Sequence, residues 1–254
     1  MGKVRIKTEE EIEMMHEGGK KLARIRNKLE NKIKEGVTAA EIDSLAESLM
    51  RSMGVKPSFK MVPGYYWATC VNINEGVVHG IPKKELVFKN GDVVSIDLGI
   101  FMEGFHTDTS TSVLVGNGDR NKNNFLRVGK NALKSAIRQA RIGKRIGDIT
   151  SAIEDTIVKA GLSPIRSLVG HGIGRDLHES PFIPCFVSGT ADESVVIEKG
   201  FVLAIEVMYV MGKPDLVIEK DGWTIRTKDG KIAGLFEETV AITNRGSLIL
   251  TNDR

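Results

Sequence analysis

Only two cysteines, Cys70 and Cys185, occur in the 254 residues. That is too few for a disulfide framework, and a reducing compartment keeps both as thiols. No apolar run approaches the roughly 18–20 residues that a membrane helix needs, so nothing in the chain reads as spanning a bilayer. The opening MGKVRIKTEEEIEMM is charged from its start and lacks the apolar core and small-residue cleavage site of a secretory signal. The cytoplasm is therefore the expected compartment. A long basic block is also missing: the net charge is +3, and Lys/Arg read as interspersed with Asp/Glu. That argues against DNA as a ligand and leaves room for a basic face making transient contact with the ribosome. What remains is an ordinary soluble composition, at a length that buries one substantial core, so one domain is expected over 1–254.

Helix signals organise the first half. Thr8 with Glu11 makes a capping-box pattern before a periodic segment running to about Lys34. Thr38 and Glu41 repeat that pattern, Ile42, Leu45 and Leu49 recur at helical spacing, and Gly54 stands where a helix stop belongs. A third helix is expected from about Asn124 to Arg141. After it, GKRIGDITSAIEDTIVKAGLSP lies on GVTAAEIDSLAESLMRSMGVKP at a single offset of 107, matching Gly36 with Gly143, Ile42 with Ile149, Gly54 with Gly161 and Pro57 with Pro164.

The repeat continues into strands. GDVVSID, ending at Asp97, resembles GFVLAIE, ending at Glu206, at an offset of 109. Each is followed by a second acidic strand, one from Asp108 and one from Glu237, and these pairs read as equivalents. Two long halves, about 1–118 and 119–254, suggest a pseudo-two-fold α+β fold with strands meeting in the middle and helices behind. The four acids would then converge at the axis.

In strands as apolar as VVSIDLG and VLAIEVM, an inward carboxylate costs several kcal/mol unless something compensates it. One reading turns the acids outward from half-exposed strands. The other turns them inward, where two divalent cations would balance four negative charges; oxygen ligands with an imidazole suit manganese, iron, cobalt or zinc. His79 in VVHGIP, and His171 and His178 in VGHGIGRDLHESP, sit among glycines that let a ligand approach closely. His106 and His16 read as solvated or core histidines.

The motifs VVHGIP, SIDLGIFMEGFHTDTS, VGHGIGRDLHESP, AIEVM, DGWTIRT and FEETVAIT, in this order, resemble the type I methionine aminopeptidases across nearly the whole chain. The resemblance implies the pita-bread fold and a two-metal site with Asp97, Asp108, His171, Glu206 and Glu237 as ligands. It implies that His79 and His178 contact the substrate backbone, with His178 stabilising the carbonyl oxygen, and that Glu206 also shuttles a proton. Metals would acidify a water and polarise the scissile carbonyl, so no serine or cysteine nucleophile is needed. The methionine pocket would include Cys70, Trp223, Tyr65 and Leu177, where sulfur and aromatic rings suit a thioether.

The substrate implied is the N-terminal methionine of nascent proteins, the enzyme a monomer. The chain's own Met1-Gly2 start has the small second residue that the family accepts. Three positions depart from the family pattern: Val207 replaces Pro, Glu238 replaces His, and Thr107 replaces Gly. Strand alternation places Glu238 away from Glu237 and off the metals. Two other readings stay open: an Xaa-Pro-type peptidase of the same fold, whose members typically carry an extra N-terminal domain, and a non-catalytic binding protein that has kept the ligands.

Overall fold

The computed structural model of the protein describes residues 4–117, 119–189 and 193–253. Met1 and Gly2, the start that resembles the family's substrates, and Gly118, at the boundary of the halves, lie outside the described residues. Both capping boxes form: Thr8 and Thr38 accept from the amides of Glu11 and Glu41, whose carboxylates return the bond, opening α1 (Glu9–Lys32) and α2 (Ala39–Ser52). α3 (Arg120–Gln139) begins four residues before the expected start, because the Asp119 carboxylate accepts from the Lys122 amide at 2.8 Å and so caps the first turn. α4 spans Ile146–Lys159.

Among the described residues, thirteen strands follow the repeat. The first half holds β1 (Lys56–Pro57), β2 (Thr69–Ile73), β3 (Gly76–Val78), β4 (Val93–Met102) and β5 (Phe105–Leu114). The second holds β6 (Ser163–Pro164), β7 (Val169–Gly172), β8 (Glu179–Pro184), β9 (Val202–Val210), β10 (Leu216–Ile218), β11 (Ile225–Thr227), β12 (Ala233–Thr243) and β13 (Gly246–Ile249). Ten of them form one sheet along β1-β4-β5-β12-β9-β7-β8, with β2, β6 and β13 pairing β4, β9 and β12; β10, β11 and β3 make a small separate sheet.

The halves match in detail. Lys56 and Pro57 pair with Phe101 and Ile100 as Ser163 and Pro164 pair with Val210 and Tyr209. The isolated bridges Thr38–Val87 and Arg145–Val196 are equivalents, and Gly36 and Gly143 share φ +83. Alternate residues of the central strands bury helix-facing side chains in two clusters: Val94, Ile96, Leu98 and Ile100 against α1 and α2, and Leu203, Ile205 and Val207 with α3 and α4. Close approach of α3 depends on Gly129, where a Cβ would stand 2.4 Å from the Tyr209 hydroxyl. Val207 is fully buried in this layer, so its replacement of proline costs the core nothing visible.

On the folded surface the charges are less interspersed than the sequence reading holds. Between Asp119 and Asp148 there is no acid, and α3 exposes Arg127, Lys130, Lys134 and Arg138, continued by exposed Arg141 and Lys144. Within α3, helical periodicity keeps Phe125, Leu126, Val128, Leu133 and Ile137 inward and gathers the cations on the outer side.

Candidate metal centre

The sheet register lays the acids out in rows on the face away from the helices. Cys70 lies opposite Asp97, Asp97 opposite Ser110, Ser110 opposite Glu237, and Glu237 opposite Glu206. One step along, Gly99 lies opposite Asp108 and Ala204 opposite His171. Between them the Thr239 hydroxyl accepts from the Asp108 amide at 2.9 Å and donates to the Asp108 carbonyl at 2.7 Å. Opposed residues share a face, so all four acids and His171 point into one space.

This register corrects the symmetry expected of the acids. Asp97 and Glu206 are equivalents, but Ser110 and Glu237 face each other on the pseudo-axis. The Thr239 bonds to Asp108 are mirrored by Ser112 bonds to the backbone of Leu235. The counterpart of Asp108 is thus Leu235 and that of Glu237 is Ser110. Chain spacing within each half cannot reveal this, because β5 and β12 pair only through long-range packing.

Asp108, His171 and Glu237 each offer an atom within 4.8 Å of the others, and His171 Nε2 stands 3.5 Å from Glu206 Oε1. His171 Nδ1 is 2.9 Å from the Gly172 carbonyl, which can only accept. Its proton is therefore on Nδ1, and Nε2 turns a lone pair toward the acids. Burial is the main influence on every group. It raises Asp97 well above its usual range, reinforced by Asp108 and Glu206, and raises Glu206 and Glu237, reinforced by Asp108. Asp108 is pushed up to about 7 and His171 down to about 3. Asp97 Oδ1 and Glu237 Oε1 have no hydrogen-bond partner among the described residues. Buried, unpartnered carboxylate oxygens beside an imidazole lone pair are a donor set for divalent cations.

The cavity over these groups is about 140 Å³ and is lined by every site residue expected from the sequence: Asp97, Asp108, His171, Glu206, Glu237, His79, His178, Cys70, Tyr65, Leu177 and Trp223. It adds Phe59 and Val62, which carry no motif signal, and Val78, which stands beside His79 in VVHGIP. The His178 ring meets the His171 ring edge-on, with centroids 4.4 Å apart. Desolvation lowers the pKa of His178, and that of His79 together with His178, although His79 remains accessible to solvent. His79 holds φ +55, an uncommon backbone state for a non-glycine residue, of the kind found at functional sites.

The Tyr65 hydroxyl donates to the Thr69 carbonyl at 2.9 Å and lies 3.2 Å from Cys70 Sγ, and its ring meets Trp223 edge-on at 5.1 Å. A larger open cleft of about 650 Å³, lined by Asn72, Lys83, Asp92 and Arg226 among others, contains no histidine.

His106 does not reach the cavity: buried, it bonds Ser58 Oγ through Nδ1 at 2.8 Å. Glu238 lies on the helix side of the sheet, as alternation requires, 2.9 Å from Arg26 Nη1. Thr107 is buried and faces Ile100 across β4.

An α+β sheet that collects buried carboxylates and one histidine on its open face defines a metal-dependent hydrolase. Residues 13–244 match Metallopeptidase family M24. The methionine aminopeptidase of Aquifex aeolicus is 38% identical over 254 residues, 98% of each chain. The crystal structure of the methionine aminopeptidase from Thermotoga maritima is 42% identical and superposes with a TM-score of 0.95, covering 98% of this chain and all of that one. Prolidase from Pyrococcus furiosus has the same fold at 25% identity and a TM-score of 0.78, with 98% of this chain covering 66% of that chain. The chain belongs to metallopeptidase family M24, in its methionine aminopeptidase branch, and the expected pita-bread fold holds.

Proposed function

We propose that the protein removes N-terminal methionine from nascent proteins whose second residue is small, acting as one catalytic domain over 1–254. The observation that carries this reading is the small cavity on which Asp97, Asp108, His171, Glu206 and Glu237 converge together with Cys70, Tyr65, Leu177 and Trp223. Those five residues would hold two divalent ions, from cobalt, manganese, iron or zinc. When bound, such ions activate a water and polarise the scissile carbonyl. Glu206 Oε1 takes the proton that this water loses and returns it to the leaving nitrogen. His178 Nε2 donates toward the carbonyl oxygen as negative charge develops there, and His79 steadies the scissile amide. Cys70, Tyr65, Leu177 and Trp223 bind the thioether and exclude water.

The cytoplasm suits this substrate, and among the described residues no helix is long and apolar enough to cross a membrane. The protein works as a monomer and meets ribosomes transiently through the cations of α3, which match the charge of RNA phosphates; co-sedimentation with ribosomes that survives 300 mM salt would contradict that. The main test incubates the protein with each metal in turn and with Met-Ala-Ser or Gly-Pro peptides. Release of methionine is expected. Cleavage of Gly-Pro alone would establish an Xaa-Pro peptidase, and tight peptide binding without any cleavage would establish a non-catalytic binding protein.

A further inference from the structure

His178 and Leu177 enter the cavity from the segment between β7 and β8, which has little regular structure of its own. Its internal bonds are few: the Gly174 amide donates to the Asp176 carbonyl at 3.1 Å, and the Asp176 amide donates to Glu179 Oε1 at 3.2 Å. On one side β5 and β9 hold it, the His106 amide donating to the Gly174 carbonyl at 2.7 Å and the Ile173 amide to the Val202 carbonyl at 3.1 Å; on the other it meets the chain ahead of α1 and the first turn of that helix. Arg5 Nη1 pairs with Asp176 Oδ2 at 2.7 Å, and Glu11 Oε1 pairs with Arg175 Nη2 at 2.6 Å, but these contacts are exposed and screened by solvent.

Lys7 is different. Its Nζ lies 2.5 Å from Glu179 Oε2, and both side chains are 4% exposed. The ammonium also donates to the Arg5 carbonyl at 3.1 Å, and the Lys7 amide donates to the Gly200 carbonyl at 2.8 Å. The side chain passes beneath Gly174, where a Cβ would come within 2.4 Å of Lys7 Cε. Burial pulls the Lys7 pKa down, and the hydrogen bond and charge of Glu179 oppose that shift. One carboxylate therefore joins two segments: Oε2 receives Lys7, while Oε1, 3.5 Å from Arg5 Nη1, closes the Asp176–Glu179 turn that contains His178.

We propose that Lys7 is a positioning residue for His178, its buried ion pair with Glu179 holding that turn so that the His178 ring stays edge-on to His171 over the cavity. This rests on the reading of His178 as a group that contacts substrate. Removing Glu179 leaves the Lys7 ammonium buried with only the Arg5 carbonyl, and removing Lys7 leaves Glu179 Oε2 unpaired, with the exposed Arg5 guanidinium 3.5 Å from Oε1 as its remaining cation; in either case the turn relaxes outward to solvate the group. A displacement of about 1 Å at a substrate-contacting group lowers turnover by up to about a hundredfold.

The test combines a spectroscopic arm and a kinetic arm. In metal-free protein, Lys7→Met shifts the ring resonances of His178 and leaves those of His16 in place. Unshifted His178 resonances overturn the proposal whatever the protein cleaves. On Met-Ala-Ser, Lys7→Met lowers kcat/KM by about ten- to a hundredfold, but by less than about twofold when His178 is already alanine. An equal loss in both backgrounds overturns the proposal, because Lys7 would then act through general stability. Glu179→Gln keeps an acceptor for the Asp176 amide while removing the charge. It is expected to give the same pattern and decides the question if Lys7→Met does not fold. Failure of metal-loaded wild type to release methionine would instead remove the functional reading and leave the resonance arm to judge Lys7.

Discussion

Asp108→Asn is expected to make the metal-free protein more stable while abolishing turnover. Asp108 is 4% exposed, and burial pushes its carboxyl up to about 7, against about 3.9 in an unfolded chain. Below pH 4 the group is protonated whether folded or not, so it costs nothing. Between pH 4 and 7 the folded protein keeps a proton that the unfolded chain has released, and stability falls as pH rises. Above pH 7 the cost is fully present, on the order of 4 kcal/mol. Asparagine carries no charge and keeps the oxygen that accepts from the Thr109 amide at 2.9 Å.

Urea unfolding with EDTA, followed by tryptophan fluorescence, should therefore find the two proteins within about 0.5 kcal/mol at pH 4. At pH 8 the variant should be ahead by on the order of 2–4 kcal/mol. Adding manganese at a hundred times Kd closes most of that gap, because wild type gains about 2.7 kcal/mol that the variant cannot. A metal-free variant no more stable than wild type at pH 8, or one with the same pH slope, would refute the reasoning.

His106, buried with its pKa pulled down to about 4, should make stability fall as pH drops from about 6.5 toward 4, by on the order of 3 kcal/mol. His106→Gln should remove that part of the slope in urea titrations at several pH values. Glu238→Ala should cost about 3 kcal/mol, because Arg26 loses its partly buried partner, yet leave metal content by elemental analysis unchanged. Trp223→Ala should raise KM for Met-Ala-Ser about tenfold with kcat altered by less than about threefold, since the ring lines the pocket against Tyr65 and carries no group that titrates or ligates; steady-state kinetics decide this.

Much of the site was legible because local rules carried it. Thr8 with Glu11 and Thr38 with Glu41 specify helix starts through bonds three residues apart. Asp97 and Glu206 stand out as charges inside otherwise apolar strands, and alternation alone puts Glu238 on the far side from Glu237. The start of α3 was missed because its first turn, Arg120 to Asn123, has no apolar periodicity and only the Asp119 cap marks it.

What the chain determined by itself was therefore the helix caps, the acid-bearing strands and the family motifs, which depend on neighbours a few residues apart, and the repeat, which shows when two such local patterns are laid on each other. Only the tertiary structure decided the register of β5 against β12. That register sets Glu237 on the axis opposite Ser110 and places Asp108 where its counterpart is Leu235. It also decided that Lys7 reaches Glu179, 172 residues away, behind His178. Strand register and buried ion pairs between distant segments are settled by which faces and charges the whole packed molecule can hide from water, and no local spacing encodes that.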